Sequence, residues 1–299
     1  MSIAVLGGYG VGLTMLVAHA PRAGETVGGA RFRREHGGKG SNQAVAIARW
    51  GGSPVLISAV GDDTEGRSAR GLWDAEDVDH RAVTTVTGAA TMAGVIIVDG
   101  DGENRIAIAP GALDALTIGE EAQHRIAAAS LLVISLELPL DSAREAVAVA
   151  RAHQVPVLLN PAPAADVPSD LWQSVDLLVP NQSEAQALLG DTDVGDEDAA
   201  RALAAASGAR VVLTRGALGA LVVERDGSVQ VVAAPVVRAV DTTGAGDTFV
   251  GVLAAELVAG TALIDAVAVA CAAAAASVEH QGVIDGIPRR GSIGVGVRR

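Results

Sequence analysis

The chain has 299 residues, of which 49% are hydrophobic, and it carries a formal net charge of −13 at pH 7. This charge argues against a nucleic-acid backbone or an anionic membrane surface as a partner, because both would repel the protein. The length and the hydrophobic content suffice for one large domain, or for a domain with a small appendage. No segment is typical of a signal peptide or a transmembrane helix, so we expect a cytoplasmic protein.

Short apolar runs alternate with helical patterns along most of the chain. The first strand pattern is IAVLGG at residues 3–8, and the helical pattern KGSNQAVAIARWG follows at 39–51. The alternation continues through ARVVLTRG at 209–216. It predicts βαβ units around a largely parallel sheet with helices on both faces. Cys271, the single cysteine, lies in an alanine-rich run, and we expect it in the core.

Two regions interrupt the alternation. Residues 13–35 and 91–108 have the pattern of short antiparallel strands, with turn signals at Pro21, at Gly24 and in the DGDGEN cluster. We interpret them as a small β lid on an α/β body that spans residues 1–288. The last eleven residues, 289–299, show no periodicity and are predicted to form a mobile tail.

The glycine-rich stretch VLGGYGVGLTM at residues 5–15 fits neither common nucleotide-binding loop. Met15 stands where the dinucleotide fingerprint needs its third glycine, and the segment that follows has a strand pattern. The phosphate-binding P-loop needs Ser or Thr after Gly-Lys, whereas Gly40 follows Lys39. The sequence therefore excludes both interpretations of these glycines.

The stretch HGGKGSNQA at residues 36–44 contains a candidate binding site. Lys39 is the only lysine of the chain, beside 21 arginines, so a compact ammonium group is favoured here over a planar guanidinium. The glycines before it allow close approach of the backbone to a ligand, and Asn42 lies one turn into the predicted helix. The alternative is a glycine turn that leads into a solvent-exposed helix.

The stretch DTTGAGDTFVGVLAAELV at residues 241–258 predicts an anion site at the start of a helix. The N–H groups of Gly244, Ala245, Gly246 and Asp247 would be free at the positive end of the helix dipole. Asp247 beside such a site suits a base that takes a proton from an attacking hydroxyl, as phosphoryl transfer requires. The alternative is a carboxylate that only stabilises the helix dipole.

These motifs together resemble the PfkB family of carbohydrate kinases, in particular its ribokinase-like members. The resemblance rests on GETVGGARFRREHGGKGSNQAVAIAR, NPAPA, PNQSE, TRGALG and DTTGAGDTF in this order, over residues 3–288. It implies a three-layer α/β sandwich with a mainly parallel sheet, a β lid that pairs in a homodimer, and ATP and Mg²⁺ as cofactors. It also implies Asp247 as the catalytic base and the amides of Gly244, Ala245 and Gly246 as the anion hole.

The resemblance further implies three groups of binding residues. Gly38, Lys39, Asn42 and Glu137 would contact the sugar. Asn181 and Glu184 would help to hold the Mg²⁺ and phosphate end of ATP, and Thr214 and Gly216 would line the nucleotide site. A monovalent-cation site, for K⁺, would involve Asp241, Thr243, Ser277, His280 and Gly282, while Gly286 lacks a serine hydroxyl that often completes it.

Gly10 and Gly12 depart from the pattern of the family. They stand where the family's ribokinases supply an Asn and an Asp to the sugar hydroxyls, so specificity for ribose is not expected. The space favours a bulkier acceptor such as a nucleoside or a substituted sugar, with Tyr9 as a stacking surface, or a sugar that lacks those hydroxyls. We expect ATP-dependent phosphorylation of a primary hydroxyl of a sugar-like molecule. The alternatives are a nucleoside kinase and a non-catalytic sensor of sugars or nucleotides.

Overall fold

The computed structural model describes residues 1–101, 103–164 and 167–293. Its strands, in chain order, are β1 (Ser2–Leu6), β2 (Gly10–Leu16), β3 (Arg31–Gly37), β4 (Ser53–Gly61), β5 (Val83–Val86), β6 (Met92–Val98), β7 (Asn104–Ala109), β8 (Leu131–Ser135), β9 (Val157–Asn160), β10 (Leu177–Leu178), β11 (Arg210–Thr214), β12 (Ala220–Val223) and β13 (Val229–Val232). The α-helices are α1 (Lys39–Arg49), α2 (Thr64–Ala75), α3 (Glu120–Ala127), α4 (Leu140–Ala152), α5 (Ser169–Trp172), α6 (Gln182–Leu189), α7 (Asp196–Ser207), α8 (Ala245–Val258), α9 (Leu263–Ser277) and α10 (Val283–Gly286). Two 3₁₀ helices cover Gly111–Ala115 and Gly216–Leu218.

The body is built on a nine-stranded sheet in the order β13-β12-β11-β10-β9-β8-β1-β4-β5. All neighbouring strands are parallel except β12, which runs antiparallel to β11 and β13. In β1, Ile3 and Val5 belong to the core on one face of the sheet, and Ala4 and Leu6 to the core on the other. Successive side chains of a strand point to opposite faces, so a strand buried on both sides is apolar throughout.

Helices cover both faces of this sheet, as the sequence predicts. Helices α1, α8 and α9 contribute Ala46, Leu253 and Ala270 to the core on one face. Helices α3, α4 and α7 contribute to the core on the other, which includes Val147 and Leu203. The three-layer sandwich is thereby confirmed, and the carboxyl ends of its parallel strands meet at one edge, where ligands bind in open α/β sheets.

The lid is a four-stranded sheet in the order β3-β2-β6-β7. The strands β2 and β6, however, pair in parallel, whereas the sequence predicts only antiparallel strands. Strand β2 also starts at Gly10, so Gly10 and Gly12 of the glycine-rich stretch at residues 5–15 belong to the lid itself. Gly102, within the predicted lid region 91–108, lies outside the described residues.

Residues 289–293 pack on the body. The Arg290 N–H donates to the Arg49 carbonyl at 2.9 Å, and the Arg289 guanidinium pairs with Glu76 at 3.0 Å. The body therefore extends past the predicted boundary at residue 288, while residues 294–299 of the predicted tail lie outside the described residues. Among the helices that the structure describes, none has the length and apolar character needed to cross a membrane.

Candidate active site

Three adjoining cavities meet at the first turn of α8. The lid cavity, about 490 Å³, lies under the lid and is lined by Gly12, Lys39, Glu137 and Asp247 among others. The middle cavity, about 210 Å³, is lined by Lys39, Asn160, Ala162, Val179, Asn181, Glu184, Thr214, Gly244, Gly246, Asp247 and Val250. The apolar cavity, about 400 Å³, shares Thr214 and Gly246 with the middle one. Asp247 thus lies between the first two cavities.

The turn before α8 depends on glycine. Gly244 has a left-handed backbone with φ of 77°, and a Cβ atom there would lie 2.5 Å from Val283 Cγ1. The Ala245 N–H donates to the Thr242 carbonyl at 3.3 Å. Within the described part of the chain, the N–H groups of Gly244, Gly246 and Asp247 have no hydrogen-bond partner, and they are the donors available to an anion.

Asp247 is buried, and each of its carboxylate oxygens accepts one hydrogen bond from helix α1. Asn42 Nδ2 donates to Oδ2 at 2.8 Å, and Gln43 Nε2 donates to Oδ1 at 3.2 Å. Burial raises the pKa of the Asp247 carboxyl, and the nearby Lys39 charge and the two amides oppose this rise. The carboxylate is therefore fixed in orientation and kept more basic than in water.

Gln43 was missed by the sequence interpretation. Its Nε2 also donates to Asn160 Oδ1 at 3.2 Å, and Asn160 Nδ2 donates to the Val179 carbonyl at 3.0 Å. This chain of amides connects Asp247 to the carboxyl end of β9. Lys39, Asn42 and Gln43 have the spacing i, i+3, i+4, which places them on one helix face and was the available signal.

Lys39 and Glu137 form the floor of the lid cavity. Gly38 precedes α1 with φ of 90°, and a Cβ there would lie 2.5 Å from Tyr9 Cα. The Lys39 N–H donates to Glu137 Oε2 at 2.6 Å. Burial raises the pKa of Glu137 to about 7, with Lys39 opposing the rise and Asp247 adding to it. Burial alone would lower the pKa of Lys39, but the negative charges of Asp247, Glu137 and Glu184 raise it.

Asn181 and Glu184 start helix α6 at the wall of the middle cavity. The Glu184 N–H donates to Asn181 Oδ1, and the Asn181 N–H donates to Glu184 Oε2, each at 2.9 Å. Burial raises the pKa of Glu184, against the effect of the Asn181 N–H. Within the residues described, no group of three or more His, Cys, Asp or Glu is arranged to hold a metal ion.

The apolar cavity lies beyond Thr214 and Gly216. Its walls come from the segment after β13 and from α8 and α9, and they include Val236, Phe249 and Cys271. Cys271 is buried, as expected, and burial raises the pKa of its thiol to about 11. The thiol is therefore neutral at physiological pH and contributes apolar surface.

The segments predicted for a monovalent cation lie side by side. The N–H groups of Val240 and Asp241 donate to the Val278 carbonyl at 2.7 and 3.1 Å. The Asp241 carboxylate accepts from the N–H groups of Thr243 at 3.0 Å and Gly282 at 3.1 Å. Burial would raise the pKa of Asp241, but these two bonds and Arg33 hold it below the usual value.

Ser277, His280 and Gly286 lie next to this pair of segments. The His280 N–H donates to the Ser277 carbonyl at 3.3 Å, so this oxygen already accepts one hydrogen bond. A Cβ on Gly286 would lie 2.7 Å from the same oxygen. The structure thus brings Asp241, Thr243 and Gly282 into direct contact, with Ser277 and His280 on the turn that precedes Gly282.

Gly10 and Gly12 both line the lid cavity, but their surroundings differ. A Cβ on Gly10 would lie 2.7 Å from Met92 Cε, so Met92 occupies that space. Gly12 is open, since the nearest atom to a Cβ there is Ile96 Cδ1 at 3.5 Å. The suggestion that Tyr9 offers a stacking surface is wrong: Tyr9 is fully buried and its hydroxyl is hydrogen-bonded to His36 Nδ1 at 2.7 Å.

The model of the pfkB family of carbohydrate kinases matches residues 10–290, and the chain belongs to this family. The chain is 34% identical to the ribokinase of Haemophilus influenzae, over 97% of this chain and 96% of that protein. It is 34% identical to the deoxyribokinase of Salmonella typhi, over 85% of each chain. The structure of Arabidopsis thaliana ribokinase, described as a complex with ribose and ATP, superimposes with a TM-score of 0.90 at 26% identity and 96% coverage of each chain.

Proposed function

We propose that the protein transfers the γ-phosphoryl group of ATP to a primary hydroxyl of a sugar or sugar-like acceptor. The observation that carries this proposal is the position of Asp247, a buried carboxylate that lines both the lid cavity and the middle cavity. A base at the junction of two cavities reaches a hydroxyl in one and a phosphoryl group in the other.

In the proposed mechanism, the acceptor lies in the lid cavity with its primary hydroxyl against Asp247. Asn42 and Gln43 hold the two carboxylate oxygens, so the base keeps one orientation as it takes the proton from the hydroxyl oxygen. Lys39, Gly38 and Glu137 line the same cavity and position the acceptor. The hydroxyl oxygen then attacks the phosphorus, and ADP leaves toward the apolar cavity.

Negative charge that develops on the transferred group is stabilised at the start of α8. Gly244 and Gly246 line the middle cavity, and their N–H groups have no partner among the described residues. Ala245 contributes through the helix dipole, because its own N–H is already bonded to Thr242. The Lys39 ammonium lines the same cavity and adds a full positive charge.

The middle cavity also fits the phosphates and a Mg²⁺ ion. When bound with ATP, Mg²⁺ neutralises phosphate charge, and it takes few protein ligands beside phosphates and waters. One oxygen of Glu184 is bonded to the Asn181 N–H, which leaves the other for a water of the ion. Thr214 and Gly216 lie where the middle cavity opens into the apolar cavity, which suits the nucleoside part of ATP.

We propose K⁺ binding at the contact between residues 241–243 and 277–282. The support is the carboxylate of Asp241, held by the N–H groups of Thr243 and Gly282, next to the carbonyl-rich turn of Ser277 and His280. Because Gly286 offers no hydroxyl, we expect weak activation. Such a cation would reinforce the positive end of α8 through the turn at residues 242–244.

We also propose a homodimer that forms through the lid, in the cytoplasm, where ATP is available. The support for the dimer is the exposed apolar surface on the lid face that points away from the lid cavity, where Phe32 is 60% and Val95 44% exposed. A second lid would cover these side chains.

The function is tested by measuring ADP release from MgATP with pentoses, hexoses, their deoxy forms and nucleosides. Phosphorus NMR of the product identifies the oxygen that receives the phosphate, which we expect to be a primary one. Repeating the assay in K⁺ and in Na⁺ tests the cation. If no acceptor is phosphorylated, or if the phosphate is found on a secondary hydroxyl, the proposal is refuted.

A further inference from the structure

One face of the lid lines the lid cavity, and its side chains form rows across the four strands. In the row nearest the body, Gly37, Gly10 and Met92 are paired. The next row runs from Glu35 on β3 through Gly12 on β2 and Gly94 on β6 to Ile108 on β7. Because the residues of such a row point to the same side of the sheet, Glu35 and Ile108 flank two glycines.

Packing within the protein does not require these two glycines. A Cβ on Gly12 would meet Ile96 Cδ1 at 3.5 Å, and a Cβ on Gly94 would meet Ile108 Cγ1 at 3.9 Å, both of which are ordinary contacts. Neither glycine has a positive φ. Glycine inside a strand weakens it and often marks a close approach of a ligand to the backbone. The Gly12–Gly94 strip is therefore open backbone facing the cavity.

Glu35 is the acidic residue that the lid face presents to this cavity. In the described part of the chain, its carboxylate has neither a hydrogen bond nor an ion pair with another side chain. Its Oε1 lies 3.1 Å from the position that a Cβ on Gly282 would take, so the carboxylate is near the turn of residues 280–282 without being bonded to it. A half-buried carboxylate that lines a ligand cavity is available to accept a hydrogen bond from the ligand.

We propose that Glu35 is a specificity-determining residue, and that the preferred acceptor presents an O–H or N–H donor to it from a part that lies on the Gly12–Gly94 strip. This inference rests on the proposed phosphorylation of an acceptor in the lid cavity. The strip begins about 7 Å along β2 from Gly10, two residues at strand spacing. The apolar side chains of Met92 and Ile108 border the Gly12–Gly94 strip. The parts of the acceptor that contact these two side chains are therefore apolar.

The test uses Glu35→Ala, with Glu103→Ala in the exposed hairpin of the same lid sheet as the matched control. Acceptors are compared in pairs that differ by one O–H or N–H group, such as ribose with its deoxy forms and adenosine with purine riboside. For the pair that wild type discriminates most, we expect Glu35→Ala to reduce the ratio of kcat/KM values about ten- to hundredfold, as for a hydrogen bond to a charged group. The change should lie in KM, with kcat retained.

A second variant, Gly12→Ala, tests the open strip, since the protein itself has room for the methyl group. It should keep the wild-type Tm and bind the preferred acceptor more weakly. Equal losses for every acceptor in Glu35→Ala, or unchanged discrimination, would overturn the proposal. Calorimetric binding of the acceptors without ATP separates the two proposals. Binding that depends on Glu35 without turnover refutes the kinase function but keeps Glu35 as a determinant of ligand binding, whereas turnover with unchanged discrimination in Glu35→Ala overturns this inference alone.

Discussion

Replacing Asp247 by asparagine removes the proposed base and keeps the shape of the side chain. The oxygen of the new amide can still accept from Gln43 Nε2, which in wild type lies 3.2 Å from Asp247 Oδ1. The nitrogen of the new amide would then face Asn42 Nδ2, but rotation of the Asn42 amide presents Oδ1 instead. That oxygen is buried without a partner among the described residues, so the rotation breaks no other bond. We therefore expect Asp247→Asn to fold.

The stability of this variant should equal or exceed that of wild type at neutral pH. Burial raises the pKa of Asp247 in the folded protein. A carboxyl with a raised pKa contributes stability below its unfolded pKa and loses it as the pH rises through the folded value. At neutral pH the buried charge therefore costs stability, and the neutral amide avoids this cost.

The rate should fall sharply. A positioned general base contributes about 10²- to 10⁴-fold, which is about 3–5 kcal/mol of activation free energy at 1.36 kcal/mol per tenfold. The assay is ADP release at saturating MgATP and acceptor, together with Tm. Asp265→Asn is the matched control, because Asp265 is an exposed residue in the first turn of α9. A kcat for Asp247→Asn within tenfold of wild type, at equal Tm, would refute the role of Asp247 as the base.

Three further changes address other parts of the site. Gln43→Met removes a donor that lowers the pKa of Asp247, so kcat should fall and the acid limb of its pH profile should move to higher pH, whereas a purely structural role would leave that limb in place. Ala274→Leu, in the wall of the apolar cavity, should raise KM for ATP several-fold and leave KM for the acceptor unchanged, with Ala272→Leu on the same helix as the control. Glu137 has a pKa raised from 4.5 to about 7, so Glu137→Gln should gain Tm relative to wild type as the pH rises through this window, and a constant difference would contradict the raised pKa.

The sequence was sufficient for the body, and it also indicated which residues lie together at the start of α8, because both depend on local patterns. The alternation of apolar runs and helical patterns determines the layers, and Gly244 and Asp247 belong to one short stretch that starts α8. Lys39 and Asn42 likewise belong to one stretch. Residues within a single turn and helix keep their relative positions in any fold that forms that helix.

The proposed acceptor side, at the lid, was harder to predict because its residues meet through long-range pairing. Gly12 faces Glu35 only through the register of β2 and β3, and Met92 fills the space at Gly10 only because β2 and β6 pair in parallel. A one-residue change in either register would turn these side chains to the other face of the lid. Tyr9 lies just before β2 and packs inward on Trp73 and His36, which its aromatic character alone did not indicate.

The residues of the candidate site that belong to the body and those that belong to the lid are held in place by different interactions. Asp247, its two amide partners and the start of α8 are fixed by buried hydrogen bonds within the body. Each lid strand presents every second residue to the cavity. Packing within the protein does not require glycine at positions 12 and 94, because a Cβ at either position would make only ordinary contacts. Substitutions in this row can therefore change the shape of the lid cavity without disturbing Asp247, the proposed base. Glycine at positions 10 and 12 is then compatible with the proposed base at Asp247, and in our proposal Glu35 supplies a polar contact from the neighbouring strand.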